Sequence, residues 1–403
     1  MGRIHTYICG ETGPIDEFNP FKVTRQEHMP EMLFLLNSNP MSSSDLSREL
    51  GIENNMTMKL LDDLSKINAA SERDSKWSTT FAIFGVQDIH LLAERTKKPA
   101  SHLAERLMRN KPEIEKKLAQ LSCAGQVEMK KLAFAVVGCY LLDWRGLEVL
   151  NQRDLTLCGK KQQPGDRKYV LLGREAGVKR DLYEKVYWGS TKSDYDGITF
   201  TSFGDHVGNR YAFPEIARPF SVLTQQQTEK AGLPDWLTTK ASEAIDSFQT
   251  NSIVDCGRLL LLLGKKGPMS ASQLANEMSK GKEQVEALLK LLADMKYVSF
   301  DSERAKLNYP VFTVRDKSTI DAVWGIVSSI VEEEACSYFG SIRTELAETT
   351  PVMKGIDPRE VYTDVWHWVF GHANRIMAER GFFFDPPKER EGEGRYISWV
   401  EQK

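Results

Sequence analysis

Two sets of side chains offer positive charge and hydrogen-bond donors at spacings suited to one helix face and a following turn. The first set comprises Asn54, Asn55, Lys59, Arg73 and Lys76. The second set comprises Lys280, Lys282, Lys290, Arg304 and Lys306. Lysine and arginine bind phosphate oxygens, and asparagine forms paired hydrogen bonds with adenine. The combination is typical of a surface that contacts nucleic acid.

Acidic residues lie among these cations and weaken that interpretation. Asp62 and Asp63 accompany the first set, and Glu283 and Glu286 accompany the second. The formal net charge of the 403-residue chain is −3, whereas nucleic-acid-binding proteins are often strongly basic. Any such contact must therefore come from a local basic face. The alternative is that these are solvated faces of units that bind other proteins.

The two sets belong to two copies of one sequence pattern. Residues 33–88 align with residues 261–316 without a gap, at an offset of 228. The matched positions include a Pro-Met-Ser triplet at 40–42 and 268–270, and a Phe-x-Val-x-Asp ending at 84–88 and 312–316. A looser match downstream pairs Lys168-Tyr169 with Arg395-Tyr396. We infer an internal duplication.

Each copy has the periodicity of three helices followed by a hairpin. In the first copy, helices are predicted at 32–36, 44–50 and 53–67, with Ser42 or Ser43 as the cap of the second helix and Gly51 in the next turn. Two strands are predicted between 69 and 86. In the second copy, the same elements are predicted at 259–263, 272–278, 282–295 and 297–314. The candidate contact residues fall on or beside the third helix and the hairpin tip.

This order of elements resembles the winged helix-turn-helix domains of MarR-like and ArsR-like regulators. The residues that carry the resemblance are Met41, Asp45, Leu46, Leu50, Gly51 and Ile52, and Met269, Gln273, Leu274, Ala275 and Met278. The resemblance implies a mainly α fold with small β elements, built as tandem winged helix-turn-helix units with flanking helices. It also implies that each third helix enters the major groove of DNA. In such regulators the flanking helices often form a dimer interface, so an oligomer remains open.

Six segments follow from this interpretation. They are an N-terminal extension (1–25), a first winged helix unit (26–90), a helical and short β segment (91–175), an aromatic-rich central segment (176–250), a second winged helix unit (251–318) and a C-terminal helical and short β segment (319–403). In the central segment, residues 199–203 are predicted to form a strand and residues 234–247 a helix.

The central segment has no counterpart in the first half and is rich in aromatic residues. Tyr187, Trp188, Phe203 and Tyr211 are candidate ligand-binding residues, because aromatic side chains commonly line apolar pockets. We expect a small-molecule effector, if there is one, to contact this segment. The alternative is a β-rich packing layer.

The sequence lacks the usual signatures of catalysis, cofactor binding and membrane insertion. We find no Walker loop, G-x-G-x-x-G, G-x-S-x-G or H-E-x-x-H motif, so neither an enzyme nor a cofactor is predicted. No apolar run reaches the ~20 residues of a membrane span, and no signal peptide is evident. The six cysteines form no CxxC pair, which indicates neither a metal site nor a disulfide framework. We expect reduced cysteines and a cytoplasmic location.

Together these observations predict a DNA-binding transcription regulator whose partner is double-stranded DNA and which responds to a small-molecule effector. By residue count, the second copy is the more basic at its helix ends and hairpin, so we expect it to carry more of the nucleic-acid affinity than the first copy. The alternative is a winged-helix protein-interaction scaffold that does not bind DNA.

Overall fold

The computed structural model describes residues 2–215, 250–301 and 303–403. The chain is mainly α-helical with small sheets, as predicted. The helix predicted at 234–247 lies outside the described residues.

The first copy of the pattern starts with strand β1 (Ile4–Glu11) and helices α1 (Pro20–Thr24) and α2 (Met29–Ser38). Two helices and a hairpin follow: α3 (Ser43–Leu50), α4 (Asn54–Lys66), β2 (Ala70–Arg73) and β3 (Lys76–Thr79). The remaining elements are β4 (Ala82–Phe84), α5 (Val86–Arg95), α6 (Lys97–Arg109), α7 (Lys111–Leu118), α8 (Met129–Ala133), a π-helical stretch (Phe134–Arg145), α9 (Gly146–Gln152), β5 (Gln162–Gln163) and β6 (Arg167–Glu175).

After a 3-10 turn (Arg180–Leu182), the rest of the chain repeats much of this order. Two strands, β7 (Gly189–Tyr195) and β8 (Ile198–Gly204), precede α10 (Thr250–Lys266), α11 (Ala271–Met278) and α12 (Lys282–Asp294). The hairpin β9 (Val298–Phe300) and β10 (Ala305–Leu307) leads to β11 (Val311–Phe312). A 3-10 turn (Val314–Asp316), α13 (Lys317–Leu346), α14 (Thr350–Met353), α15 (Pro358–Glu379) and β12 (Tyr396–Gln402) complete the fold.

Local hydrogen bonds at matching positions fix the three helices and the hairpin in both copies. Ser42 caps α3 by accepting a hydrogen bond from the Asp45 N–H, and Ser270 caps α11 in the same way through the Gln273 N–H. An antiparallel bridge joins Met41 to Trp77, and an equivalent bridge joins Met269 to Ala305. Helices α11 and α12 begin and end 228 positions after the first and last residues of α3 and α4, respectively.

The duplication extends further than the sequence predicted, into the central segment. In one sheet, β6 lies between β1, which is antiparallel to it, and β4, which is parallel; the short strand β5 also pairs with β6. In another sheet, β12 lies between β8, which is antiparallel to it, and β11, which is parallel. Strand β8 therefore corresponds to β1. Gly10 and Gly204 occupy equivalent places, since a Cβ on either would collide with the backbone of the facing strand, at Lys168 or Arg395. The expectation that this segment lacks a counterpart was therefore wrong for β8, whose resemblance to β1 lies in backbone pairing.

The chain folds into two compact units, each assembled from three separate stretches. The first unit combines Met1–His102, Trp144–Leu182 and Val331–Val369. The second combines Leu103–Asp143, Tyr183–Ile330 and Phe370–Lys403. A stretch from the second half of the sequence thus completes the first unit, and a stretch from the first half completes the second.

The core of the first unit joins α2, α3 and α4 to the β1–β6 sheet. Apolar residues at helical spacing meet alternate residues of the strands, which is the burial pattern expected for each element. Its members include Met32, Leu33, Leu46, Leu60, Leu61 and Leu64 from the helices, and Ile4, Tyr169 and Leu171 from the strands.

A buried ion pair lies on the other side of this sheet. Arg174 on β6 contacts the Asp364 carboxylate on α15 at 2.5 Å, and their side chains are only 9% and 1% exposed. The Tyr7 hydroxyl on β1 donates to the same oxygen at 2.5 Å, and the Trp368 indole N–H donates to the other at 3.1 Å. Burial, the largest cause, raises the pKa of Tyr7 well above its usual range, so its hydroxyl remains a donor. The cluster joins two strands and one helix within the first unit.

One expectation about the cysteines was wrong. Cys9 on β1 and Cys158, after α9, form a disulfide whose Cα atoms are 5.4 Å apart. The two residues are 149 positions apart in sequence, and the fold brings them together. Spacing along the chain therefore carried no sign of this bond. Cys123, Cys139, Cys256 and Cys336 are free.

Replacing Asp364 with alanine should strongly destabilise the first unit. The change leaves the Arg174 guanidinium buried without its counter-ion, which typically costs about 3–5 kcal/mol. Urea unfolding followed by circular dichroism would measure it. Asp62→Ala is the control, because Asp62 is exposed and its pair with Lys66 should contribute less than about 1 kcal/mol. Equal unfolding midpoints for the two variants would contradict the role given to the cluster.

Removing the disulfide by a Cys9→Ser, Cys158→Ser double substitution should also lower stability. A cross-link that closes a loop of this length restricts the unfolded chain, and the chain-entropy model gives about 5 kcal/mol. Thermal unfolding of the variant and of wild type, each with and without dithiothreitol, would test this. Dithiothreitol should lower the Tm of wild type and leave that of the variant unchanged.

Candidate nucleic-acid interface

The first set of predicted contact residues lies together on the solvent side of α4. Asn54 and Asn55 form its first turn, and Lys59 follows one turn later; all three are exposed. The opposite face packs into the core through Thr57, Leu60, Leu61 and Leu64. Because these four residues recur at helical spacing, the polar residues between them are turned towards solvent.

The β2–β3 hairpin adds two cations at its tip. Arg73 and Lys76 face each other across the ladder, and both are exposed. Asp74 and Ser75 make the turn with φ values of 51° and 62°. The bridge between Met41 and Trp77 attaches the hairpin to the segment that precedes α3. The tip is therefore a short, anchored loop that exposes two cations beside the carboxylates of Glu72 and Asp74.

Three acidic residues on α3 and α4 are compensated, whereas Glu53, directly before α4, is exposed. Lys66 contacts Asp62 at 2.9 Å and Asp63 at 3.2 Å, at the C-terminal end of α4. A hydrogen bond from Ser42, followed by one from Arg48, holds the pKa of Asp45 below its usual value. The first turn of α4 contains no acidic residue.

The cations of the first unit are available for an external ligand. Within 2–215, 250–301 and 303–403, no ion pair involves Lys59, Arg73 or Lys76. Lys59 and Arg73 therefore keep exposed charge, whereas the Lys76 charge also acts on Asp45 and helps to lower the pKa of that carboxyl.

The second unit has more cations but uses two of them internally. Lys280, before α12, contacts Asp255 at 2.6 Å, and Lys282 contacts Glu286 at 3.5 Å along the same helix. Lys290, Arg304 and Lys306 are exposed and make no ion pair among the described residues. The greater basicity predicted from residue counts is therefore partly cancelled by these contacts.

The outward positions of α4 and α12 differ in chemistry at equivalent places. At the offset of 228, Asn54, Asn55, Met58 and Lys59 correspond to Lys282, Glu283, Glu286 and Ala287. The first helix exposes amides, a thioether and a lysine. The second helix exposes charges of both signs.

Sequence reasoning gave little weight to two exposed methionines on α4. Met56 is 48% exposed and Met58 is 44% exposed. Helical spacing already placed Met58 on the outward face, so its position was a usable signal. Exposed apolar side chains on a helix are also a common feature of protein-contact surfaces.

The four aromatic candidates for ligand binding are buried in the second unit. Tyr187 and Phe203 pack against the Phe134 ring, with centroids 5.2 and 5.4 Å away. Trp188 packs against His206 at 5.3 Å, and the Tyr211 N–H donates to the Tyr396 hydroxyl at 3.1 Å. The Tyr187 hydroxyl donates to Asp385 at 2.6 Å. These four side chains are packed in a core, which is the arrangement expected for a packing layer.

The described part of the chain contains no cluster of three or more His, Cys, Asp or Glu side chains suited to a metal ion. None of its helices combines the length and the apolar character needed to cross a bilayer.

Comparisons of the chain with protein-family models, curated proteins and solved structures find no match.

Proposed function

We propose that each of the two units contains a winged helix-turn-helix domain. We further propose that the protein is a transcription regulator that binds double-stranded DNA mainly through the domain in the first unit. One observation carries the proposal. The amides of Asn54 and Asn55 and the ammonium of Lys59 are all exposed in the first two turns of α4, and the β2–β3 hairpin of the same copy exposes two cations that form no ion pair among the described residues.

The chemistry of this surface divides into base contact and backbone contact. An asparagine can bind the N6 and N7 atoms of adenine from the major groove, which admits an α-helix. Lys59, Arg73 and Lys76 would bind phosphate oxygens, which position the helix without selecting a sequence. Asn54 and Asn55 are thus proposed to select the base sequence.

In the second unit, the proposed role is backbone contact alone. Glu283 and Glu286 disfavour phosphate on the outward face of α12, and the Lys282 charge is partly compensated by Glu286. The cations left for DNA are Lys290, Arg304 and Lys306. No effector site is proposed, because the four aromatic candidates are packed in a core.

A triple substitution tests the phosphate contacts. Lys59→Gln, Arg73→Gln, Lys76→Gln should lower the slope of log affinity against log salt by about 2–3 units, since each lost phosphate contact removes about 0.9. The measurement is fluorescence anisotropy on random-sequence duplex DNA at several salt concentrations. The matched control, Lys290→Gln, Arg304→Gln, Lys306→Gln, makes the same charge change in the second unit and should lower the slope less. A larger loss in the control would reverse the assignment.

Asparagine substitutions separate base selection from charge. After selection of a preferred duplex, Asn54→Ala, Asn55→Ala should reduce discrimination at adenine positions by about 1–3 kcal/mol per lost contact and leave the salt slope unchanged. Absence of binding by wild-type protein at low salt would eliminate the DNA proposal.

A protein-interaction scaffold is the second candidate, and the exposed Met56 and Met58 favour it. Under this alternative the outward face of α4 binds an apolar surface of another protein, and DNA affinity is absent.

Methionine substitutions should distinguish the two functions. Met56→Ser, Met58→Ser is expected to leave DNA affinity within about threefold of wild type, because neither change alters charge. Anisotropy titration of the selected duplex would measure this. A much greater loss would show that the thioethers themselves contact the DNA bases.

A further inference from the structure

The first strand of the first unit has one paired edge and one open edge. The Arg3 carbonyl accepts a hydrogen bond from the Ala176 N–H at 2.7 Å. Because every second residue of an antiparallel strand forms backbone hydrogen bonds with its partner, the odd-numbered residues of β1 bond to β6. The backbone groups of Ile4, Thr6 and Ile8 therefore point away from β6. No strand pairs with that edge in the described part of the chain, and none of those groups has a hydrogen-bond partner there.

The second unit shows how the corresponding edge is used. Strand β8 bonds to β12 with the same alternation, since the Gly197 carbonyl accepts from the Lys403 N–H at 2.9 Å. The opposite edge of β8 pairs antiparallel with β7 over seven residue pairs. The same edge of the duplicated sheet thus carries an antiparallel strand in one unit and is open in the other.

The sequence of β1 does not protect this edge. Native edge strands commonly carry lysine, proline or an inward-pointing charge that prevents pairing with another chain. Strand β1, Ile-His-Thr-Tyr-Ile-Cys-Gly-Glu, contains neither lysine nor proline. It is also rich in β-branched and aromatic residues, which favour a strand.

We propose that β1 pairs antiparallel with β1 of a second copy of this chain, so that the two sheets join across a two-fold axis. The register that we assign places Thr6 opposite Ile8 of the second copy. Each contact then occurs twice, as a two-fold interface requires. This inference is independent of DNA binding.

Charge complementarity selects this register. It places Arg3 opposite Glu11 of the second copy, and the Arg3 side chain, which contacts Glu31 at 2.9 Å, is 58% exposed. Glu11 is exposed. Shifting the pairing by two residues in either direction keeps the same backbone groups facing the second copy. One shift places Arg3 opposite Cys9, and the other places Glu11 opposite His5. Only the assigned register joins opposite charges at both ends of the paired strands.

A proline substitution tests the edge. The Thr6 N–H points away from β6, so Thr6→Pro removes a hydrogen bond to the second copy without removing one inside the unit. Sedimentation velocity should show a dimer for wild type and for the control Thr6→Val, and a monomer for Thr6→Pro. Circular dichroism and thermal unfolding would verify that the proline variant is folded. A monomeric wild type at the highest soluble concentration, or a folded Thr6→Pro dimer, would overturn the proposal.

Charge substitutions test the register without altering the backbone. Arg3→Glu places two like-charged pairs across the interface, and so does Glu11→Arg. Each variant alone should dimerise at least about tenfold more weakly than wild type. An equimolar mixture of the two should recover the dimer, because opposite charges then face each other again. Failure of the mixture to associate more strongly than either variant would contradict the assigned register.

Discussion

The fold of the first unit depends on the need to compensate one buried charge. Asp364 is enclosed, and its carboxylate accepts hydrogen bonds from Tyr7, Arg174 and Trp368. An ion pair in such surroundings is stable only when both partners remain in place, because either charge alone has lost its hydration. The strand that contains Tyr7 and the strand that contains Arg174 are therefore held to a helix from the far end of the sequence. Neither half of the duplication is a complete folding unit, although each contains the whole repeated pattern.

Duplication preserved the scaffold and allowed the surfaces to diverge. The serine caps, the bridges at Met41 and Met269, and the glycines that let two strands approach are matched in both units. Each of these features is required by the backbone, whatever the unit binds. The outward residues of the two third helices are under no such constraint. One exposes amides and methionines, and the other exposes paired charges. Equal folds thus coexist with unequal binding chemistry, which is why fold alone does not assign a function.

Local elements of this chain could be predicted from sequence, whereas long-range pairing could not. The helices around Leu46 and Leu60 and the positive φ at Gly51 followed from periodicity and from the preference of glycine for that conformation. The exposed positions of the candidate contact residues followed from the same spacing. The disulfide of Cys9, the equivalence of β8 with β1, and the pairing of Lys280 with Asp255 depend on which distant segments meet. Hydrophobic periodicity fixes the inward face of an element and leaves open which element it meets.

The order in which the chain is synthesised has a consequence for folding. The first unit needs residues 331–369, which leave the ribosome roughly ten seconds or more after Leu182 at ordinary elongation rates. During that interval Arg174 has no carboxylate to pair with, so the β1–β6 sheet cannot reach its final packing. The small helical region around α3 and α4, whose contacts are local, can form early. Final closure awaits contacts between distant parts of the sequence, and such contacts slow folding. Both units therefore finish folding only after residues from the second half of this sequence have been synthesised.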